Sequence, residues 1–243
     1  MMGNIIFDGY NFEDYSVVVS GSGTWAMPGR NTQKDTVPGR HGALITDAGE
    51  FENVEIAYPA WIAHDFAEQY EQFSRMLALH TDKYYRLEDD YHPDYYRMAR
   101  VVPGITPEPG TLNRSGRFTV RFDCKPQKWL RSGEEAVTIP AGKHVTLFNP
   151  VAYDAKPLVT APQETEITFS SLSGGVARLH IYPTAYTPWV DIIYDAEIEE
   201  AIDSEGFSVN EYISQTHAIV LKPGENIVSA TKDIKICPRW WVV

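Results

Sequence analysis

The amino-acid sequence predicts a mainly β protein, all-β or α+β, in two domains. Short apolar runs bounded by turn residues recur along the whole chain, and glycine and proline, 17 and 16 of 243 residues, are spread rather than clustered. Helical periodicity appears in a single stretch, so helix is expected to be scarce. Hydrophobic residues make up 43% and aromatics 12%, more than a disordered chain carries, so there is a core to bury. The length suits one large or two modest domains.

From the N-terminus, N-I-I-F-D-G-Y-N-F-E-D-Y-S-V-V-V holds two apolar runs around a turn signal. Residues 20–42, rich in Gly, Ser and Pro, read as a long loop, and loops beyond ~15 residues are usually functional or ordered by a partner. Trp25 and Met27 within it either meet such a partner or fold back on the core. Residues 36–58, T-V-P-G-R-H-G-A-L-I-T-D-A-G-E-F-E-N-V-E-I-A-Y, read as two short strands joined by a hairpin at D-A-G-E. The scaffold hairpin is favoured over a phosphate loop, because no helix opens after the glycines and no lysine follows them.

Residues 60–80 are the one helical stretch. Ile62, Phe66, Tyr70, Phe73 and Leu77 recur at spacings of four, four, three and four, a single apolar stripe that should cover a sheet. Asp65 with Glu68 forms a capping-box pattern, so the regular helix is expected over 65–79. Two strand-like runs follow around D-Y-H-P-D. Next, Phe118, Val120, Phe122 and Cys124 alternate with Arg117, Thr119, Arg121 and Asp123, the pattern of a half-buried strand. The boundary is placed near residue 130, giving domains 1–130 and 131–243. Beyond it, about nine strand candidates at roughly ten-residue spacing predict a β-sandwich.

Charge narrows the function. The net charge is -12, -5 up to Lys128 and -7 beyond it, and no run of Lys or Arg forms a basic face, which argues against stable nucleic-acid binding. No apolar run approaches the ~20 residues of a membrane span, and acid rather than base precedes any apolar N-terminal segment, so neither membrane association nor a signal peptide is expected and synthesis is placed in the cytoplasm. Cys124 and Cys237 read as buried free thiols without metal-ligand spacing. His64 and His80 read as helix-end residues. No Gly-x-Ser-x-Gly elbow occurs. The acidic stretch from Asp191 to Glu205 fits no EF-hand and reads as the solvated face of strands. No enzyme activity, metal or cofactor is expected.

Taken in order, F-D-G-Y-N-F-E-D-Y-S-V-V-V, V-P-G-R-H-G-A-L-I-T-D-A-G-E-F, the helix ending F-S-R-M-L-A-L-H, Y-Y-R-L-E-D-D-Y-H-P-D-Y-Y-R-M-A-R-V and R-F-T-V-R-F-D-C-K-P-Q-K-W-L resemble the N-terminal domain of the distal tail proteins of long-tailed siphophages. N-P-V-A-Y-D-A-K-P-L-V-T-A, E-I-T-F, I-D-S-E-G, and L-K-P-G-E-N with a terminal P-R-W are similar to the second domain of that family. The resemblance covers nearly the full chain. Its most specific pieces are P-G-R-x-G followed by D-x-G-x-[FY], the F-x-C-x-P that ends the first domain, and L-x-P-G-x-N.

The resemblance implies a structural hub of the phage tail tip or baseplate. Its N-terminal domain would be tail-tube-like, a β-sandwich or barrel with one helix, and its C-terminal domain a galectin-like β-sandwich. It further implies a hexameric ring with a channel for DNA, partners in the tail tube protein and the tail-associated lysin of the tip, a receptor-binding protein as a further candidate, and a place at the virion tail tip. Trp25, Met27, Arg30, Pro38, Gly39, Arg40 and Gly42 become candidates for the subunit interface. Asp47, Glu50, Glu52 and Glu55 become candidates for an acidic channel wall. The alternative is a carbohydrate-binding module for host adhesion, with Tyr182, Tyr186 and Trp189 as a stacking platform.

Overall fold

The computed structural model describes residues 2–21, 23–183 and 191–243. The chain divides into two units, one up to Lys128 with Val243 and the other Trp129–Val242. Both are mainly β, as expected, and one α-helix is present among the described residues.

The first unit is a sheet whose neighbours run in the order Met2–Gly3, Val17–Ser20, Val54–Ile62, Gly116–Leu130, Tyr95–Val101, Tyr85–Asp89, Ile5–Phe7 and Tyr10–Asn11. Period-2 alternation decides its two faces. Val54, Ile56, Tyr58, Ala60 and Ile62 are buried on one strand, and Phe118, Val120, Phe122 and Cys124 on the next, where Ile56 registers with Phe122 and Tyr58 with Val120. The helix Phe66–Ala78 lies over this apolar face through Phe66, Phe73, Met76 and Leu77. Phe73 meets Phe12 edge-on at 4.7 Å and Phe118 at 5.6 Å, geometries aromatic rings favour.

The structure corrects three readings of this unit. Ile62 is the last buried residue of a strand and not part of a helical stretch over 60–80, because it completes the Val54–Ile62 alternation. Asp65 caps no helix by its side chain: it adopts a left-handed conformation at φ 51° and its carboxylate makes no capping bond, while the Phe66 N–H is donated to the carbonyl of Arg114 at 3.2 Å. The segment 20–42 is not all loop. It contains the strand Arg30–Thr36, which pairs with Ala43–Phe51, so D-A-G-E lies within a strand and the hairpin turn falls at 37–42.

The second unit is a sandwich of two five-stranded sheets. One runs Val137–Ile139, Ile234–Cys237, Leu158–Ala161, Ile192–Asp195 and Glu200–Asp203. The other runs His144–Asn149, Gly224–Ala230, Thr165–Ser171, Gly175–Ile181 and Ile213–Gln215. Their facing residues, among them Val159, Tyr194 and Ile236 from the first and Phe169, Leu179 and Val228 from the second, share one core. Two strand candidates shift. E-G-F-S-V-N contributes an isolated bridge at Ser208 rather than a strand, and the ladder expected around Ile219 begins only at Gly224. The acidic stretch is a hairpin, but two of its acids leave the solvated face. Asp203 is buried and accepts the N–H groups of Glu205 and Phe207, each at 2.9 Å, and Asp195 holds Arg239 through two bonds of 2.6 and 2.9 Å.

Candidate functional site

The paired strands Arg30–Thr36 and Ala43–Phe51 form a two-stranded sheet of their own. Every residue from Arg30 to Glu50 is exposed, on both faces. Leu44 and Ile45 stand 44% and 61% exposed. An isolated hairpin is marginally stable in water, because it buries nothing against the entropy of ordering it. The sequence nevertheless locks both of its ends. At the base, the Asp47 carboxylate accepts the Gly49 N–H at 2.8 Å and forms an ion pair with Arg30. The Arg30 guanidinium in turn lies 4.5 Å from the centroid of the Phe51 ring. The Gly49 hydrogen bond, joined by Arg30, holds the Asp47 carboxyl below the usual carboxylate range. Gly49 sits at φ 83°, a backbone only glycine adopts freely, so D-A-G-E-F is a clasp rather than a turn. At the tip, Gly39 and Gly42 take φ of 83° and 84°, which is what P-G-R-H-G supplies.

The interface candidates therefore gather on this arm and beside it. Arg30 is at the base and Pro38, Gly39, Arg40 and Gly42 form the tip. Trp25 and Met27, on the segment leading in, are 77% and 86% exposed and do not fold back on the core. The Trp25 ring meets His92 edge-on at 5.1 Å. Just before it, Gly23 approaches the Ala57 carbonyl so closely that a Cβ would lie 2.2 Å from the oxygen.

The channel candidates split between two places. Asp47 and Glu50 lie on the arm, and Glu52 sits at its base, where its N–H is donated to the Gly29 carbonyl at 2.9 Å. Glu55 lies on the face of the sheet opposite the core, 3.7 Å from Arg121. On that open face Asp123 receives Arg100 Nε at 2.8 Å, Asn53 Nδ2 at 3.0 Å and the Tyr84 hydroxyl at 3.1 Å. Partial burial raises the Asp123 carboxyl, but the hydrogen bonds from Arg100, Asn53 and Tyr84 outweigh it and the net direction is down. Arg86 pairs with Glu88 on the same face. Three arginines of the open face, Arg86, Arg100 and Arg121, thus each have a carboxylate partner. A groove of about 720 Å³ crosses it beside Pro59, Trp61, Arg117 and Thr119.

In the second unit Tyr182 is exposed and stacks on His180 at 4.2 Å. Tyr186 and Trp189 lie outside the described residues. Three motifs that looked distinctive are turn locks. Asn226 closes L-K-P-G-E-N by donating to the carbonyls of Lys222 and Gly224 and accepting the Lys222 N–H at 2.8 Å. Asn149 closes N-P-V-A-Y by donating to Tyr153 and Leu221, each at 2.9 Å. In P-R-W, Arg239 reaches Asp195 and Trp240 enters the core.

Burial pushes the Cys124 thiol up to about 12, which leaves negligible thiolate at neutral pH. The described residues contain no group of three or more His, Cys, Asp or Glu that could hold a metal ion, and no helix among them is long and apolar enough to cross a membrane.

Comparison with known proteins agrees with the resemblance read from the sequence. Residues 10–124 match the family described as phage tail protein RIFT-related domain. No curated protein sequence matches the chain. Among solved structures, the SPP1 Dit protein, described as a paradigm of hub adsorption apparatus in Gram-positive infecting phages, is 18% identical with a TM-score of 0.73 over 99% of each chain. A chain of the phage P2 baseplate in its activated conformation with calcium is 7% identical, with a TM-score of 0.54 over 97% of each chain. One from the strontium form is 8% identical with a TM-score of 0.56, also over 97% of each. At these identities the likeness establishes the fold of the whole chain.

Proposed function

We propose, from the premise that residues 10–124 carry a phage tail RIFT-related domain, that the chain is the distal tail hub of a long-tailed phage. Six copies close into a ring that joins the tail tube to the tip protein and the host-adsorption apparatus. One observation carries the reading: an arm of some twenty residues, exposed on both faces and clasped at its base, has no structural reason to persist unless a neighbouring copy covers it. Trp25 and Met27 extend the surface to be covered, in keeping with the apolar cores of subunit interfaces.

The open sheet face is the proposed channel wall. There Glu55, Asp123 and Glu88 cancel Arg121, Arg100 and Arg86, so phosphates sliding past find few unpaired cations from which to release counterions. Glu50 on the arm and Glu52 at its base add negative charge, while Asp47 is matched by Arg30. Function on this reading is mechanical and needs no catalytic group.

Light scattering tests the ring. The wild-type chain alone is expected to have six times the chain mass, and with tail-tube protein to form a complex that contains six copies of it. The Trp25→Ser, Met27→Ser double variant should remain folded and dissociate. A wild-type monomer under every condition would remove the reading. A second reading, carbohydrate adhesion by the C-terminal unit, draws on the Tyr182–His180 stack, and a glycan array with Tyr182→Ala as control decides it.

A further inference from the structure

Among the described residues, the sandwich of the second unit has four outer strands, and three of them are short or covered. Val137–Ile139 and Ile213–Gln215 are three residues long. Glu200–Asp203 is covered by the turn that follows it: the N–H groups of Asp203 and Val209 are donated to the carbonyls of Phe207 and Ala201 at 3.0 and 2.9 Å, and Asn210 Oδ1 accepts the Ala201 N–H at 2.6 Å. The fourth, His144–Asn149, is six residues long and pairs on one side alone, with Gly224–Ala230. H-V-T-L-F-N holds no proline, glycine, lysine or acid; Lys143 lies before it and Pro150 after it. Apart from its bonds to that one neighbour, the backbone from His144 to Phe148 has no partner among the described residues. In an antiparallel ladder alternate residues turn their N–H and C=O groups away from the neighbour. This edge therefore presents a row of unpaired groups, which natural sheets shorten, charge or cover unless another chain pairs with them.

The side chains give the edge an apolar anchor and a direction. Phe148 and Ile227 are 64% and 45% exposed. Ile227 lies opposite Thr146, so it shares the outer face with Phe148 one diagonal step away, within reach of an aromatic ring. At one end of the edge Lys143 is exposed and has no ion-pair partner among the described residues. At the other, Glu225, opposite Phe148, is exposed and equally unpaired.

We infer that His144–Asn149 is a strand-addition site, where an extended segment of a different protein joins the sheet antiparallel. That segment carries an acidic residue beside Lys143, a basic residue toward Glu225 and an apolar residue that packs on Phe148 and Ile227. Main-chain hydrogen bonds supply the affinity and the alternate side chains the specificity. Charge favours a different protein over a second copy: two copies pairing edge to edge would give Lys143 no carboxylate on the paired strand, since H-V-T-L-F-N holds none. The inference concerns the second unit alone and does not depend on the ring.

The test uses the full chain and three short synthetic peptides of alternating valine and threonine. The first begins with lysine and ends with glutamate, the second has those two exchanged, and the third repeats the first with proline at its two central positions. With the first peptide at about ten times its Kd, the outward amides of 144–148 are expected to exchange hydrogen about tenfold more slowly, because exchange then proceeds from the free fraction. The third peptide should leave them unchanged. Fluorescence anisotropy should show the first peptide binding about fivefold tighter than the second, the worth of two exposed ion pairs. Lys143→Glu should cancel that preference, and Phe148→Thr, at an exposed position that leaves the fold intact, should weaken binding several-fold. Amides of 144–148 that exchange at an unchanged rate in millimolar peptide would overturn the inference. So would amides that slow with protein concentration alone, which would give the edge to a second copy.

Discussion

Replacing Phe73 by alanine tests how the single helix holds the first unit together. Phe73 is fully buried, and its ring contacts Phe12, Phe118 and Tyr15 with centroids 4.7, 5.6 and 5.7 Å away. Truncating such a side chain costs about 3–5 kcal/mol, the lost transfer energy plus the cavity left behind. The unit comprises about 128 residues. At ~2.1 cal/mol/K of unfolding entropy per residue, its midpoint moves by roughly 1 °C for each ~0.27 kcal/mol, so Phe73→Ala should lower it by about 11–19 °C. Phe73→Leu, which keeps most of the volume, should lose less. The assay is calorimetry combined with hydrogen exchange on peptides from each unit, so that the loss is assigned to the right one. A fall below about 4 °C, or an equal loss of protection in the second unit, would refute a helix packed on its own sheet.

Three other outcomes follow from single side chains. Asp203→Ala leaves two turn amides without their acceptor and should cost the second unit about 1–3 kcal/mol, read as lost exchange protection around Glu205 to Phe207. Asp123 has a depressed carboxyl, so its stabilising contribution is present above the unfolded carboxylate value of about 3.9 and disappears as pH falls through the lower folded value. Arg100→Met should therefore narrow the stability difference between pH 7 and pH 3 in urea titrations, and an unchanged difference would contradict the network on the open face. Cys124, with its thiol near 12 and no exposure, should resist iodoacetamide at pH 8 in the native state and react once the chain is unfolded, as followed by mass spectrometry.

Much of the fold was legible because burial writes a period into sequence. The Phe118 to Cys124 alternation and the stripe from Phe66 to Leu77 both mark faces that meet the core. The arm was missed for the converse reason: with both faces in water, R-N-T-Q-K-D-T carries no alternation, and a strand without a dry side looks like loop. Ile62 misled because one buried residue can satisfy a period of 2 and a stripe of 3.6 at once. Asp203 looked solvated because its turn amides, not its spacing, explain it. The interface candidates were grouped by their position in one segment, and the arm does bring most of them together. The channel candidates were chosen by charge and by their place around the D-A-G-E-F-E turn and on the strand after it, and the structure puts Asp47, Glu50 and Glu52 on the arm or at its base and Glu55 on the open sheet face. Arg97 gave no signal, since only three-dimensional packing reveals that a charged residue is buried.

The central claim, a ring held together by exposed arms, is tested most directly by imaging the purified chain with tail-tube protein by electron microscopy. Six-fold rings are expected in which residues 30–51 of each copy lie against the next, with the open sheet face turned to the channel. Particles of any other symmetry, or rings in which the arms point into solvent, would contradict it.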